Sequence, residues 1–208
     1  PPQSRIRFHP ATLVQNGARI LRSRRVTLLI VATGLVFGAH LQYLSTAADI
    51  FFDVYGVSAM FPAYFAAFAA GIGLASIVNA QVVRRFGMQA MCEGALLGLV
   101  ILGLGLLSLS FVYEGKPPFV AFMAMGFVIF FCIGILFGNL NAMAMQSLGQ
   151  LAGLGASLIA SGSSLVAVIF AVAFGAFYNQ TPMPLASGFL TTGVLGFVLV
   201  RLASAASQ

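Results

Sequence analysis

The chain has 208 residues, 60% of them hydrophobic and only 7% charged, with a mean hydropathy of +1.02, whereas a soluble domain carries about 25% charged residues. Such a composition excludes a water-soluble domain. The formal net charge of +6 has no water-exposed domain to gather on, so a nucleic-acid partner is excluded as well.

Residues 1–25, PPQSRIRFHPATLVQNGARILRSRR, are too long and too arginine-rich for a simple signal peptide, and the apolar run that follows has no small-residue cleavage site. Pro10 is predicted to open a short helix in which Leu13, Ala18, Ile20 and Leu21 form an apolar stripe beside Arg19, Arg22 and Arg25. That pattern suits a helix lying on the inner membrane surface; a solvated cytoplasmic linker is the other reading. Because the chain opens on Pro1, it is expected to be a piece of a longer or trimmed protein.

Residues 26–48, 54–83 and 117–200 carry no Lys, Arg, Asp or Glu, and each run exceeds the roughly 20 residues that cross a bilayer. Polar and turn-forming clusters divide them, because a lipid-exposed span cannot end in irregular chain inside the hydrocarbon. Six spans are predicted, at about 26–46, 58–83, 87–111, 118–145, 151–178 and 185–203, followed by a cytoplasmic tail at 204–208. The longest run is cut at Gln146 to Gln150 and again at Asn179 to Pro184, on polarity and proline alone.

When the span ends are numbered alternately, one side receives every one of the ten Lys and Arg residues except Lys116. Short cytoplasmic loops collect Lys and Arg, so both termini and the loop VNAQVVRRFGMQAM are expected to be cytoplasmic, with Asp49, Asp53 and Glu114 at the outer face. Cys92 and Cys132 fall in different spans with no CxxC, so neither a disulfide nor a metal site is expected. Most of the 23 glycines lie inside spans, where small residues let helix backbones approach closely.

The stretch VNAQVVRRFGMQAM resembles the second-half copy of the loop signature of the major facilitator superfamily. Arg85 and Gly87 match, whereas Ala80, Arg84, Met88 and Gln89 depart from the fuller pattern. Residues 138–157, GNLNAMAMQSLGQLAGLGAS, resemble the join of the tenth and eleventh spans in the bacterial drug-efflux branch that includes the bicyclomycin and chloramphenicol resistance proteins, through Asn139, Asn141, Ala144, Met145, Gly149, Ala152, Gly153 and Ser157. Some relatives carry an acid where Gln146 stands here. Tyr43-Leu44-Ser45 and the stretch from Val54 to Ser58 also look like the first span of that half and its outer loop.

The resemblance implies an all-α integral membrane fold in which six transmembrane helices form one half-bundle of a twelve-helix transporter. Two inverted three-helix units would divide at Glu114 to Pro118, and the substrate cavity would lie near the bilayer midplane. It further implies a multidrug:proton antiporter of the bacterial inner membrane. Its partners would be membrane lipid, an N-terminal six-span half absent from this chain, a small-molecule drug and protons. No cofactor or metal is expected. The proton-coupling acids of that branch generally lie in the absent half.

Within this frame, Arg84, Arg85, Gly87 and Glu93 are expected at a cytoplasmic gate; the alternative for the arginines is that they fix topology on anionic headgroups. Glu93 is close enough to turn back toward them as an ion pair, or to titrate as a proton carrier. His40 shares one helical face with Thr33, Phe37, Tyr43 and Ala47, and an intramembrane ionisable group is a functional candidate by default; the bland alternative is a neutral His bonded to a neighbouring carbonyl. Tyr64, Phe65, Phe68, Asn139, Asn141 and Met143 complete the expected cavity. Two rival classes are a six-span protein that dimerises as a carrier or channel, and an intramembrane enzyme. Against the second, Ser157 and Ser161 lack a Gly-x-Ser-Gly setting and His40 precedes them.

Overall fold

A computed structural model describes residues 10–146 and 148–206. The expectations for residues 1–9, Ser147, Ser207 and Gln208 fall outside the described residues, as do those for the side chains of residues 10–13 and Gln150. Among the described residues there is no strand, and six helices are long and apolar enough to cross a membrane.

A short helix, α1 (Pro10–Arg22), comes first. Of its expected apolar stripe Ile20 is buried, while Ala18 and Leu21 are exposed. The spans are α2 (Arg24–Asp49), α3 (Phe61–Phe86), α4 (Met88–Val112), α5 (Phe119–Met145), α6 (Ala152–Gly175) and α7 (Met183–Ala205). Pro62 and Pro184 stand in the first turns of α3 and α7, where a missing N–H costs nothing. Gly87, at φ +82°, ends α3 and starts α4 in a conformation that favours glycine.

One boundary differs instructively from the sequence expectation. The first span was expected to end near residue 46, yet α2 runs to Asp49 and continues through a π-helical turn at Ile50–Val54. Asp49 and Asp53 are exposed, and a solvated carboxylate does not interrupt a helix. They mark the edge of the apolar layer, not the end of the helix.

Cross-helix contacts fix the directions. Arg25 meets Gln146 and Tyr55 meets Pro117, so α2 and α5 are antiparallel. Glu93 meets Arg201, so α4 and α7 are antiparallel. Asn79 meets Asn139, so α3 and α5 are parallel, and Ser163 bonds Ile30, so α6 is parallel to α2. The principal pairs are α2 with α6, α3 with α5, α4 with α7, α2 with α7, α4 with α5, and α2 with α5. Exchanging α2, α3 and α4 for α5, α6 and α7 maps this set of pairs onto itself. Each unit has three spans, so the second enters from the opposite side; this is the geometry of an inverted repeat.

The spans are packed through glycine. A Cβ on Gly34 would lie 2.9 Å from the Ser163 carbonyl of α6, one on Gly134 2.9 Å from the Ile72 carbonyl of α3, and one on Gly103 2.7 Å from the Leu190 nitrogen of α7. Lipid tails are as apolar as leucine, so helices in a bilayer associate through close contact of this kind and not through hydrophobic burial. Leu29, Val36, Leu96, Leu99, Ile129, Ile133 and Leu136 fill the centre, while Ile101, Leu104, Leu195 and Val198 of α4 and α7 remain exposed.

Candidate functional site

Two cavities are lined by the middle of α2 and by α5, one together with α3 and the other together with α6. The first, about 260 Å³, is lined by His40, Tyr43 and Leu44 of α2, Phe65, Ala69 and Ile72 of α3, and Phe130 of α5. The second, about 250 Å³, is lined by Thr33 and Phe37 of α2, Phe137 and Asn141 of α5, and Ala160, Ser163 and Ser164 of α6. The repeat exchange turns α2, α3 and α5 into α5, α6 and α2, so the two cavities are counterparts.

His40 stands between them. Its ring centroid is 5.6 Å from Phe130 and 5.8 Å from Phe137, the latter edge-on at 87°, and Phe37 lies 6.1 Å from Phe137. Tyr43 packs 4.6 Å from Phe130 and stacks on Phe65 at 5.7 Å. Phe68 backs this cluster, 5.0 Å from Phe130. Each such aromatic pair contributes about 0.5–1.5 kcal/mol beyond area burial, which holds the wall rigid.

Two polar atoms in this wall have no partner among the described residues: His40 Nδ1 and the Tyr43 hydroxyl oxygen. Tyr43 is only 1% exposed. An unbonded buried hydroxyl costs about 1–3 kcal/mol, so a cavity lined by two such groups is suited to a partner arriving from outside the bundle. The second cavity is more polar. Thr33 and Ser163 donate to the Leu29 and Ile30 carbonyls, at 2.8 and 3.2 Å, and Asn141 Nδ2 donates to the Phe137 carbonyl at 2.9 Å. Among the described residues the Asn141 side-chain carbonyl and the Ser164 hydroxyl have no hydrogen-bond partner.

The remaining expected cavity residues are elsewhere. Tyr64 turns to an aromatic cluster at the Asp53-bearing end, 4.9 Å from Phe119 and stacked 5.9 Å from Phe51. Met143 is buried with its sulfur 4.0 Å from Cys92 of α4, so it packs the bundle interior and lines neither cavity. Asn139 is also buried, and it forms a reciprocal amide pair with Asn79 of α3: Asn139 Nδ2 donates to Asn79 Oδ1 at 2.7 Å, and Asn79 Nδ2 donates back at 3.3 Å.

At the arginine-bearing end, Arg84 and Arg85 are exposed and have no ion pair among the described residues; the Arg85 guanidinium lies 5.4 Å from the Phe86 ring centre. Glu93 does not turn back toward them. It pairs with Arg201 at 3.1 Å and accepts from Gln89 at 2.9 Å, because α4 and α7 lock through Gly193 and Gly196 against Leu96 and bring Arg201 alongside. At the opposite end, Ser45, Thr46, Asp49 and Tyr178 line a mouth of about 380 Å³ between α2 and α6. Burial of the Tyr178 hydroxyl, then the charges of Asp49 and Asp53, push that phenol above its ordinary range.

No family model matches the chain, and no solved structure matches it. Over 200 residues it is 24% identical to YdgK of Bacillus subtilis (strain 168), an uncharacterised MFS-type transporter; the match covers 94% of this chain and 48% of the relative. The chain therefore spans about half the length of the relative it matches, which fits one half of an MFS-type transporter.

Sequence reasoning missed Phe130 and Phe137. Their spacing of two helical turns was the available signal, but 20 phenylalanines in apolar spans offer many such pairs. It also missed Asn79, which shares the stretch before Arg84 with a second amide, Gln81, and Arg201 as the partner of Glu93.

Proposed function

We propose that the chain is the C-terminal six-span half of a major facilitator transporter that exports small amphipathic drugs in exchange for protons by alternating access, in a bacterial inner membrane with the arginine-bearing end in the cytoplasm. One observation carries this reading: of two repeat-related cavities, His40 lines one and packs on Phe137 of the other, at mid-depth in the bundle, and among the described residues His40 Nδ1 and the Tyr43 hydroxyl have no partner. In such transporters the substrate sits at the repeat interface near the midplane, and the second bundle supplies the opposite wall.

Each cavity alone is small for a drug-sized ligand, for which pockets usually measure about 300–1,000 Å³. With a second bundle opposite, they become two halves of one enclosure. Rings of Phe65, Phe130 and Phe137 supply soft apolar contact that tolerates varied substrates, while His40, Tyr43 and Asn141 offer the few hydrogen bonds that orient them. Rocking about the α2–α5 seam opens the His40–Phe65 well to the outer face or the Asn141–Ser164 well to the inner face. Arg84 and Arg85 hold the inner gate against acids or carbonyl ends of the other half, consistent with neither having an ion pair among the described residues. Proton coupling belongs to the other half, because Asp49, Asp53 and Glu114 lie at the outer end and Glu93 is engaged by Arg201.

The test is efflux of a lipophilic cationic dye from cells lacking their own pumps. The full-length protein should lower dye accumulation, a protonophore should abolish the effect, and His40→Ala should reduce it severalfold. Residues 1–208 expressed alone should insert without exporting; export by that segment alone would overturn the half-transporter reading.

A further inference from the structure

We propose that the elbow between α1 and α2 is a binding site for the phosphate of an anionic phospholipid. Ser23 alone separates the two helices; its backbone is extended, at φ −70° and ψ 106°, and its side chain caps nothing. A cavity of about 300 Å³ opens there, lined by Arg19, Ile20, Ser23, Val26, Leu148 and Leu151. One part of that lining is a guanidinium and a free hydroxyl, and the other is aliphatic. The ligand it fits is an anion attached to a hydrocarbon.

Charge on this end of the bundle is not balanced by any acid among the described residues. Arg19, Arg22 and Arg24 have no ion pair among the described residues, and Arg25 Nε is buried without a partner while its Nη2 donates to Gln146 at 3.3 Å. Of the four acidic residues in the sequence, Asp49, Asp53 and Glu114 are at the far end and Glu93 is held by Arg201. The first-turn N–H groups of α2 add to the pull on an anion at the elbow, since they have no intrahelical acceptor. Arg84 and Arg85 carry comparable charge but line none of the four cavities described above, so they attract headgroups only diffusely.

A lipid fits better than a soluble phosphate because the aliphatic side chains of Ile20, Val26, Leu148 and Leu151 line the cavity where a membrane span begins. A lipid seated there would touch α1, α2 and the Leu148–Leu151 joint before α6, tying the linker helix to both three-helix units. The site is independent of the transport reading.

The experiment uses the full-length protein in nanodiscs of phosphatidylcholine with and without phosphatidylglycerol, with retained lipid counted by native mass spectrometry. Wild type should retain phosphatidylglycerol in preference to phosphatidylcholine. Arg19→Gln should weaken that retention about fivefold, the effect of one arginine at an anionic surface. Ser23→Ala and Leu151→Ser should each weaken it too, whereas Arg84→Gln with Arg85→Gln should leave it unchanged. Arg19 is exposed, so its replacement leaves packing intact, and Arg19→Lys should keep most of the retention. Inorganic phosphate should not displace the lipid. The proposal is overturned by wild-type retention in Arg19→Gln, by equal loss in the Arg84/Arg85 variant, or by displacement with inorganic phosphate, which would make this a soluble-anion site.

Discussion

The reciprocal amide pair of Asn79 and Asn139 is the most direct handle on how α3 is fastened to α5. Asn139 Nδ2 donates to Asn79 Oδ1 at 2.7 Å and to the Ile135 carbonyl at 3.0 Å, while the return bond from Asn79 is longer, at 3.3 Å. Asn139 is 2% exposed and Asn79 half-buried. Polar contacts between membrane helices average about 0.6 kcal/mol and reach about 1.7. One short and one long bond therefore give a coupling of about 1 kcal/mol. Asn139→Ala, which also loses the Ile135 bond and leaves a void, should destabilise by about 2 kcal/mol; Asn79→Ala should destabilise by about 1. A double-mutant cycle read by SDS unfolding in mixed micelles measures the coupling. Additivity of the two single effects within about 0.3 kcal/mol would refute the pairing.

Tyr43→Phe removes a buried hydroxyl that has no partner in the bundle, so thermal stability should be unchanged or raised by about 1 kcal/mol while dye efflux falls; loss of stability would mean the hydroxyl is bonded. Gly103→Ala places a Cβ 2.7 Å from the Leu190 nitrogen and should cost about 1–3 kcal/mol. Gly94→Ala meets nothing within 4 Å and should be neutral or stabilising by up to about 1 kcal/mol, both read as shifts in unfolding midpoint. Replacing Arg84 and Arg85 with lysine keeps the topology signal but loses the planar fork that holds two acceptors; insertion and abundance should be normal and transport several-fold slower, and a wild-type rate would leave orientation as their whole role.

Hydropathy made the six spans legible because the bilayer imposes a minimum apolar length, and proline and polar clusters divided the long run after Lys116. Helix ends were less visible: Asp49 and Asp53 report where water begins, not where α2 stops. The pairing of spans was hidden, because residues facing lipid and residues facing neighbours are equally apolar and leave no amphipathic stripe to read. On α2 the helical period did group Thr33, Phe37, His40, Tyr43 and Ala47; the first four line the two cavities, while Ala47 is buried and lines neither. On α5 the same period could not separate Phe130 and Phe137 from their many neighbours, nor could it show that Asn139 and Met143 turn toward α3 and α4. The partner of Glu93 was out of reach for a different reason. Nearby arginines in sequence competed with Arg201, and only the α4–α7 packing decides between them.

The central claim is that the α2–α5 wall faces water and a second bundle, while α4 and α7 face lipid. In a full-length protein whose Cys92 and Cys132 are replaced by alanine, His40→Cys and Asn141→Cys should react with a membrane-impermeant thiol reagent in open membranes and be protected by an exported dye. Ile101→Cys on α4, at a position 62% exposed in the isolated bundle, should stay unreactive because lipid covers it. Modification of Ile101→Cys together with inert His40→Cys and Asn141→Cys would contradict the account.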